Sequence, residues 1–228
     1  MNIAFIPARC GSKEIELKNI KPFCGKPLIF WNLQALQNSK NIDVIYVATD
    51  CSDIKEVVHS FNFSKVFIYD REAINASDTS STESVMLEFI NKKNFCDEDL
   101  FFLVQATSPL TQTEDFDNAL KQLKEEQADS LLTCVRTKAF FWNDNGSAIN
   151  YNYMKRPRRQ NFKVQLMENG SFYINSIKNI LKDKNRLSGK ITIFEMQAYQ
   201  SIDIDTKEDW ILAEQTMQTH SLYGELHC

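Results

Sequence analysis

Ile3-Ala4-Phe5-Ile6-Pro7-Ala8-Arg9-Cys10-Gly11-Ser12-Lys13, with Lys18-Asn19 close behind, decides how this chain is read. Its first four residues form a short apolar run, the pattern of a buried first strand. The loop that follows holds a glycine, a hydroxyl and cations at Arg9, Lys13 and Lys18. In open α/β sheets, ligands bind outside the carboxyl ends of the strands. Small residues there let backbone N–H groups approach an anion, and the three cations supply the charge that phosphate oxygens require. The spacing is not that of a P-loop, which needs a second glycine directly before Lys-Ser/Thr. Two readings remain from the residues alone: a basic surface loop, or a phosphate cradle of another kind.

Working outward, strands alternate with helices. Asp43–Thr49, Lys65–Tyr69, Leu100–Gln105 and Ser130–Val135 read as strands. Helices are expected over Ser52–Ser60, Thr82–Lys92 and Thr113–Glu126, the last with Thr111 and Thr113 as its start signal. Pro27 suits the first turn of a helix running to about Ser39. The alternation predicts an α/β fold with a mostly parallel, doubly wound sheet of Rossmann-like, nucleotide-binding type. Near-continuous apolar strands fit burial on both faces.

The pattern breaks over about 138–168. That stretch is rich in aromatics and Asn, then turns basic at Lys155-Arg156-Pro157-Arg158-Arg159. It is too long for an ordinary connection, so it reads as an insertion within a single domain spanning 1–228. Phe140-Phe141-Trp142 is costly to leave in water and predicts packing on another surface, such as a second subunit. Beyond it, Gly170–Ile174 and Ile191–Met196 read as strands and Thr206–Gln218 as a closing helix.

With 228 residues and 43% hydrophobic content the chain can bury a proper core. A formal net charge of −4 argues against a general nucleic-acid binder or a membrane-surface protein. No apolar run approaches membrane-spanning length, and no secretory signal is visible, so the expected compartment is the cytoplasm. The six cysteines form no C-x-x-C pair and have no metal-ligand spacing with the histidines. Cys134 reads as a small buried hydrophobe, and Cys10 sits in the cationic loop with no histidine placed to serve it.

An ordered set of motifs now carries a resemblance. Ile6-Pro7-Ala8-Arg9 with Gly11-Ser12-Lys13 and Lys18-Asn19 comes first. Gln105-Ala106-Thr107-Ser108-Pro109, Arg158-Arg159-Gln160, Glu168-Asn169-Gly170-Ser171-Phe172-Tyr173 and Ser201-Ile202-Asp203-Ile204-Asp205 follow. Together they resemble the N-acylneuraminate cytidylyltransferases, over nearly the whole chain. The resemblance implies transfer of CMP from CTP to the anomeric hydroxyl of a sialic acid, with release of pyrophosphate and use of Mg²⁺. It places Arg9, Ser12, Lys13 and Lys18 at the phosphates and Asn19 at the nucleotide. Arg71, Ser81 and Thr82 fall at the cytosine, with Asp78-Thr79 in the same run. Gln105, Arg158, Arg159 and Asn169 fall at the sugar. Arg9, Lys18 and Asp205 are the catalytic residues so implied, with a homodimer formed through the insertion.

Each assignment has a plainer counterpart. On a strand, Asp203 and Asp205 would share a face and suit Mg²⁺, which takes one or two carboxylates plus phosphate oxygens; alternatively they cap the closing helix. Ser81 or Thr82 could simply cap the helix that follows. Arg158 and Arg159 suit a planar carboxylate but also fit a solvated basic patch or a targeting signal. Glu14 stands where the family has glycine, and would be strained if that position required positive φ. Other nonulosonic acids (legionaminic or ketodeoxynononic acid), the eight-carbon Kdo, and a non-catalytic nucleotide-sugar sensor are the competing functions.

Overall fold

The computed structural model describes residues 1–11, 14–75 and 80–222. The phosphate-site assignments at Ser12 and Lys13, and the Asp78-Thr79 part of the base segment, fall outside them. Nine strands are described: β1 (Asn2–Pro7), β2 (Pro22–Phe23), β3 (Lys26–Pro27), β4 (Val44–Thr49), β5 (Val66–Asp70), β6 (Leu100–Val104), β7 (Ser130–Thr137), β8 (Gln165–Ser176) and β9 (Ile191–Glu195). The α-helices are α1 (Leu28–Asn38), α2 (Ser52–Ser60), α3 (Thr82–Lys92), α4 (Thr113–Glu125), α5 (Ile177–Asp183) and α6 (Lys207–Leu222).

Seven strands form one sheet in the order β5-β4-β1-β6-β8-β7-β9, with β2 and β3 in a separate hairpin. Only β8 runs antiparallel to its neighbours β6 and β7. All other pairings in the sheet are parallel. β1 shows why the strands read as continuous apolar runs. Its alternate side chains enter different cores, so neither face can be polar. Ala4 and Ile6 pack with α1, α2 and α4 residues such as Leu33, Ile54 and Phe116. Ile3 and Phe5 pack with Met86 and Phe89 of α3 and Ile177 of α5. A third cluster joins Ile15, Phe23, Trp31, Ile204 and Trp210, tying the segment after the cationic loop to the start of α6.

The structure corrects several local expectations. Pro27 precedes α1 as its cap residue, with extended ψ of 142°, rather than lying in the first turn. Gln112, not a threonine, caps α4, and its backbone N–H donates to Asp115 Oδ2 at 2.8 Å. The strand expected at Gly170–Ile174 begins earlier, at Gln165, because it pairs with β7 along a long antiparallel ribbon. The register shifts between Leu132 and Cys134, opposite Gly170, whose φ of +71° is the left-handed conformation a bulge favours in glycine.

The stretch expected to be an insertion is the tip of that ribbon. It has an isolated bridge between Trp142 and Ala148 and single turns at Tyr153–Lys155 and Arg159–Asn161. Phe140 packs inside it, 4.5 Å from the rings of both Tyr151 and Phe162, with Arg156 over its face. Phe141 and Trp142 stay 40% and 46% exposed, so only part of the aromatic run is covered by its own segment.

Candidate active site

A cleft of about 470 Å³ opens at the carboxyl ends of β1 and β6, where the strand order reverses. This switch point is where doubly wound sheets receive ligands. Arg9, Lys18 and Arg71 line it with Asn19, Ser81, Thr82, Gln105, Thr107, Asp203 and Asp205. A smaller cavity of about 290 Å³ between α1 and α4 has Glu114 as its one charged wall residue and no cation.

The cationic wall is built on a pinned loop. Leu17 takes a left-handed conformation (φ 47°), which turns the chain into a short helical turn at Lys18–Ile20. Buried Ile15 anchors the loop from one side, and Leu17 and Ile20 pack on the main core. Asn19 is itself buried and donates to the Arg9 carbonyl at 3.1 Å, holding the two halves of the loop together. Glu14, which stands where the family has glycine, directly follows the residues outside the described ones. Its side chain is exposed and borders a separate surface hollow with Leu17 and Lys207.

Across the cleft, Ile202–Asp205 belongs to no strand, contrary to the strand geometry expected for the aspartate pair. Its position comes from Ile204, fully buried, whose N–H donates to the Thr107 carbonyl at 2.9 Å beyond the end of β6. The flanking carboxylates therefore face the cleft. Helix capping does not consume them. Thr206 and Asp209 cap α6: Asp209 Oδ2 accepts from the Thr206 N–H and hydroxyl, both at 2.8 Å. Asp205 instead accepts from Lys18 Nζ at 3.0 Å, and the same ammonium donates to the Ile204 carbonyl at 2.6 Å.

Asp203 is held above the ordinary carboxylate range, chiefly by desolvation. The neighbouring Asp205 charge adds to this, against a Thr107 hydrogen bond and the Lys18 charge. A carboxylate raised by a second carboxylate is one whose charge a cation would relieve. Among the described residues no group of three or more His, Cys, Asp or Glu is arranged to hold a metal. Two carboxylates facing the cations of one cleft nonetheless suit Mg²⁺, which takes one or two carboxylates and completes its shell with other oxygens and water.

At the start of α3, Ser81 does cap the helix, accepting from Ser84 N–H at 3.1 Å, while also lining the cleft with Thr82. Capping therefore does not withdraw Ser81 from the cleft. Arg71 donates from Nε to the Ala48 carbonyl at 2.9 Å, which fixes its guanidinium at the end of β4. Burial lowers its pKa, countered by Asp50 and Glu88. Gln105 enters the cleft just past β6, its N–H bonded to Ser171 O at 3.0 Å.

Not every expected residue gathers here. Asn169 is buried, and its Nδ2 donates to Ser171 Oγ at 2.9 Å and Gln200 O at 3.0 Å, outside the cleft lining. Arg158 and Arg159 border a different hollow, with Phe140, Trp142 and Arg156 at the ribbon tip. Sequence reasoning missed Thr107 and Asn32. Asn32 lies fully buried in α1 and spans the carbonyls of Gln105 and Ser108, both at 3.3 Å. Its signal was an amide on the apolar face of Leu28–Leu36.

A doubly wound sheet with a cation-lined cleft at its switch point is a Rossmann-like nucleotidyltransferase fold. It is shared with a solved CMP:2-keto-3-deoxy-manno-octonic acid synthetase complexed with CTP, at TM-score 0.71 and 18% identity, covering 96% of this chain and 99% of that one. The cytidylyltransferase family model matches residues 3–227, and the chain belongs to that family. N-acylneuraminate cytidylyltransferase B of Danio rerio is 34% identical over 97% of this chain and 52% of its own length. The Oncorhynchus mykiss N-acylneuraminate cytidylyltransferase is 35% identical, over 97% and 51%. A pseudaminic acid cytidylyltransferase of Campylobacter jejuni is 28% identical, over 91% of this chain and 92% of its own. The chain thus spans about half the length of the fish relatives.

Proposed function

We propose that this chain transfers CMP from CTP to the anomeric hydroxyl of N-acetylneuraminate, giving CMP-sialic acid and pyrophosphate. The observation that carries the proposal is the pairing of walls in one cleft: Arg9, Lys18 and Arg71 face Asp203 and Asp205. Attack on the α-phosphorus builds negative charge on the non-bridging oxygens and the departing pyrophosphate. Arg9 and Lys18 lie where that charge develops, and preorganised cations there lower the barrier. Ser12 and Lys13 join them in the proposal by their place in the motif. Arg71, Ser81 and Thr82 offer donors and acceptors to the cytosine, and Gln105 reaches the sugar side. Asp203 and Asp205 would hold Mg²⁺, which supplies Lewis-acid polarisation of the phosphate and of the attacking hydroxyl. Asp205 takes the anomeric proton, and Lys18, already bonded to it, keeps it oriented.

The proposed assembly is a cytoplasmic homodimer. Exposed Phe141, Trp142 and Met154 at the ribbon tip support it. So does the separation of Arg158 and Arg159 from their own cleft, which suits arginines delivered to a partner's sugar. No described helix is long and apolar enough to cross a membrane.

A second reading keeps the reaction and changes the sugar. It is favoured by the pseudaminic acid relative, which this chain covers almost end to end. Pyrophosphate release from CTP and Mg²⁺ with a panel of nonulosonic acids separates the two. Release with N-acetylneuraminate, lost in Asp205→Ala, supports the first reading. Release only with another acid replaces the substrate. CTP binding without turnover on any sugar would favour a sensor.

A further inference from the structure

Cys10 and Cys51 meet at the edge of the cleft. They are far apart in sequence, by 41 residues, yet their Cα atoms are 5.2 Å apart and their sulfurs are bonded. Cys10 directly follows Arg9 in the cationic loop and is half-buried. Cys51 caps α2 just past the end of β4 and is 5% exposed. The β1–β4 pairing reaches this point, since Ala8 N–H donates to the Ala48 carbonyl at 2.9 Å. That same Ala48 carbonyl receives Arg71. A bond between the two sulfurs therefore ties the Arg9 backbone to the strand end that seats Arg71. Among the described residues, Cys96 and Cys134 lie outside this bond.

We infer that Cys10 and Cys51 are a reversible dithiol–disulfide site that fixes the cationic loop and tightens nucleotide binding in the cleft. The Cα separation lies within the range a disulfide spans without backbone movement. Disulfides in a reducing compartment are characteristically transient and regulatory, which is the role a bond beside a binding loop suits. The oxidant is a low-molecular-weight disulfide such as oxidised glutathione. The half-exposed Cys10 sulfur attacks it, forming a mixed disulfide and releasing one small thiol with the Cys10 proton. The Cys51 sulfur then attacks the Cys10 sulfur and releases the second small thiol. Two protein thiols lose two protons and two electrons, and the small disulfide gains them. Arg9 lines the cleft in the bonded form, so the bond preorganises it and removes part of the ordering cost of binding.

The consequence for affinity rests on the cytidylyltransferase reading, whereas the dithiol site does not. The test uses the full chain, reduced with dithiothreitol or oxidised with glutathione disulfide. Thiols are alkylated, peptides mapped by mass, and CTP titrated calorimetrically. The expected result is a cross-linked Cys10–Cys51 peptide in the oxidised sample only. CTP Kd should be about fivefold lower in that sample and return on reduction, as expected when roughly one side chain is immobilised in advance. Cys51→Ser and Cys10→Ser should each abolish the cross-link and bind CTP like the reduced chain in either buffer. Full alkylation of Cys10 and Cys51 after oxidation, in a chain with an unchanged near-UV spectrum, would overturn the site. A cross-link with unchanged or weaker CTP binding would overturn its coupling to the cleft. A cross-link with no CTP binding in either form would uphold the site and defeat the cytidylyltransferase reading.

Discussion

Lys18 Nζ lies 3.0 Å from Asp205 Oδ1, across 187 residues of sequence, and joins the two walls of the cleft. The lysine side chain is 11% exposed and the carboxylate 74%, so the ammonium is fixed and the acid faces solvent. A second bond from Nζ to the Ile204 carbonyl, at 2.6 Å, holds the lysine in place when Asp205 turns to other partners. Lys18→Met should lower kcat/KM for CTP by about 100-fold or more, the usual loss when one preorganised charge is removed from a transition state. Lys18→Arg should recover only part, since the planar guanidinium cannot reproduce the compact ammonium. Steady-state pyrophosphate release checks both, with circular dichroism to confirm folding.

Asp203→Asn and Asp205→Asn each remove one charge from the proposed metal site. Both should weaken Mn²⁺ binding measured by electron paramagnetic resonance in the presence of CTP, and both should abolish turnover. Thermal stability should not fall in Asp203→Asn. Its carboxyl is raised, so the ionised form is favoured less in the folded chain than in the unfolded one. Unchanged Mn²⁺ affinity in both variants would remove the pair from the metal site.

Glu88 makes the clearest pH prediction. Desolvation opposes its ionisation, but hydrogen bonds from Tyr69, Asn75 and the Glu72 backbone outweigh this, and its pKa is lowered. A depressed carboxyl contributes stability above its unfolded pKa near 4.5, and that contribution is lost as pH falls through the folded value. Glu88→Gln should therefore cost about 2 kcal/mol at pH 7 and progressively less below pH 4.5, as read from urea unfolding across that range. An equal loss at all pH values would contradict the assignment.

Asn32 supports the cleft from beneath. Asn32→Leu fits the volume but strands the carbonyls of Gln105 and Ser108, and should cost about 2 kcal/mol of stability. Because the Gln105–Pro109 turn would loosen, KM for the sugar should rise more than KM for CTP.

The ribbon tip predicts intersubunit complementation. Trp142→Asp should shift the chain to monomer in sedimentation velocity. Mixed chains carrying Arg158→Ala with Arg159→Ala on one and Lys18→Met on the other should regain part of the activity that neither has alone. A fully active monomer would exclude shared sites.

The sheet and most helices were legible because β1, β4 and β6 are buried on both faces and their residues say so. The boundaries of α2 and α3 follow from their periodicity and caps. What escaped the sequence depends on contacts distant along the chain. The aspartate pair reads as a strand, yet its orientation comes from one buried isoleucine and one hydrogen bond to Thr107. Cys51 carries no motif and gains meaning only when β1 and β4 bring it to Cys10. Asn169 belongs to a recognisable motif, but its amide is engaged in holding Gln200 and Ser171.

The most direct test of the central claim is the fate of an oxygen label. N-acetylneuraminate carrying ¹⁸O at its anomeric hydroxyl is incubated with CTP, Mg²⁺ and the chain, and the products are weighed by mass spectrometry. Attack of that hydroxyl on the α-phosphorus predicts CMP-sialic acid that keeps the label in its bridging oxygen, with unlabelled pyrophosphate. Label released from the sugar, or no cytidylated sugar at all, would contradict the account.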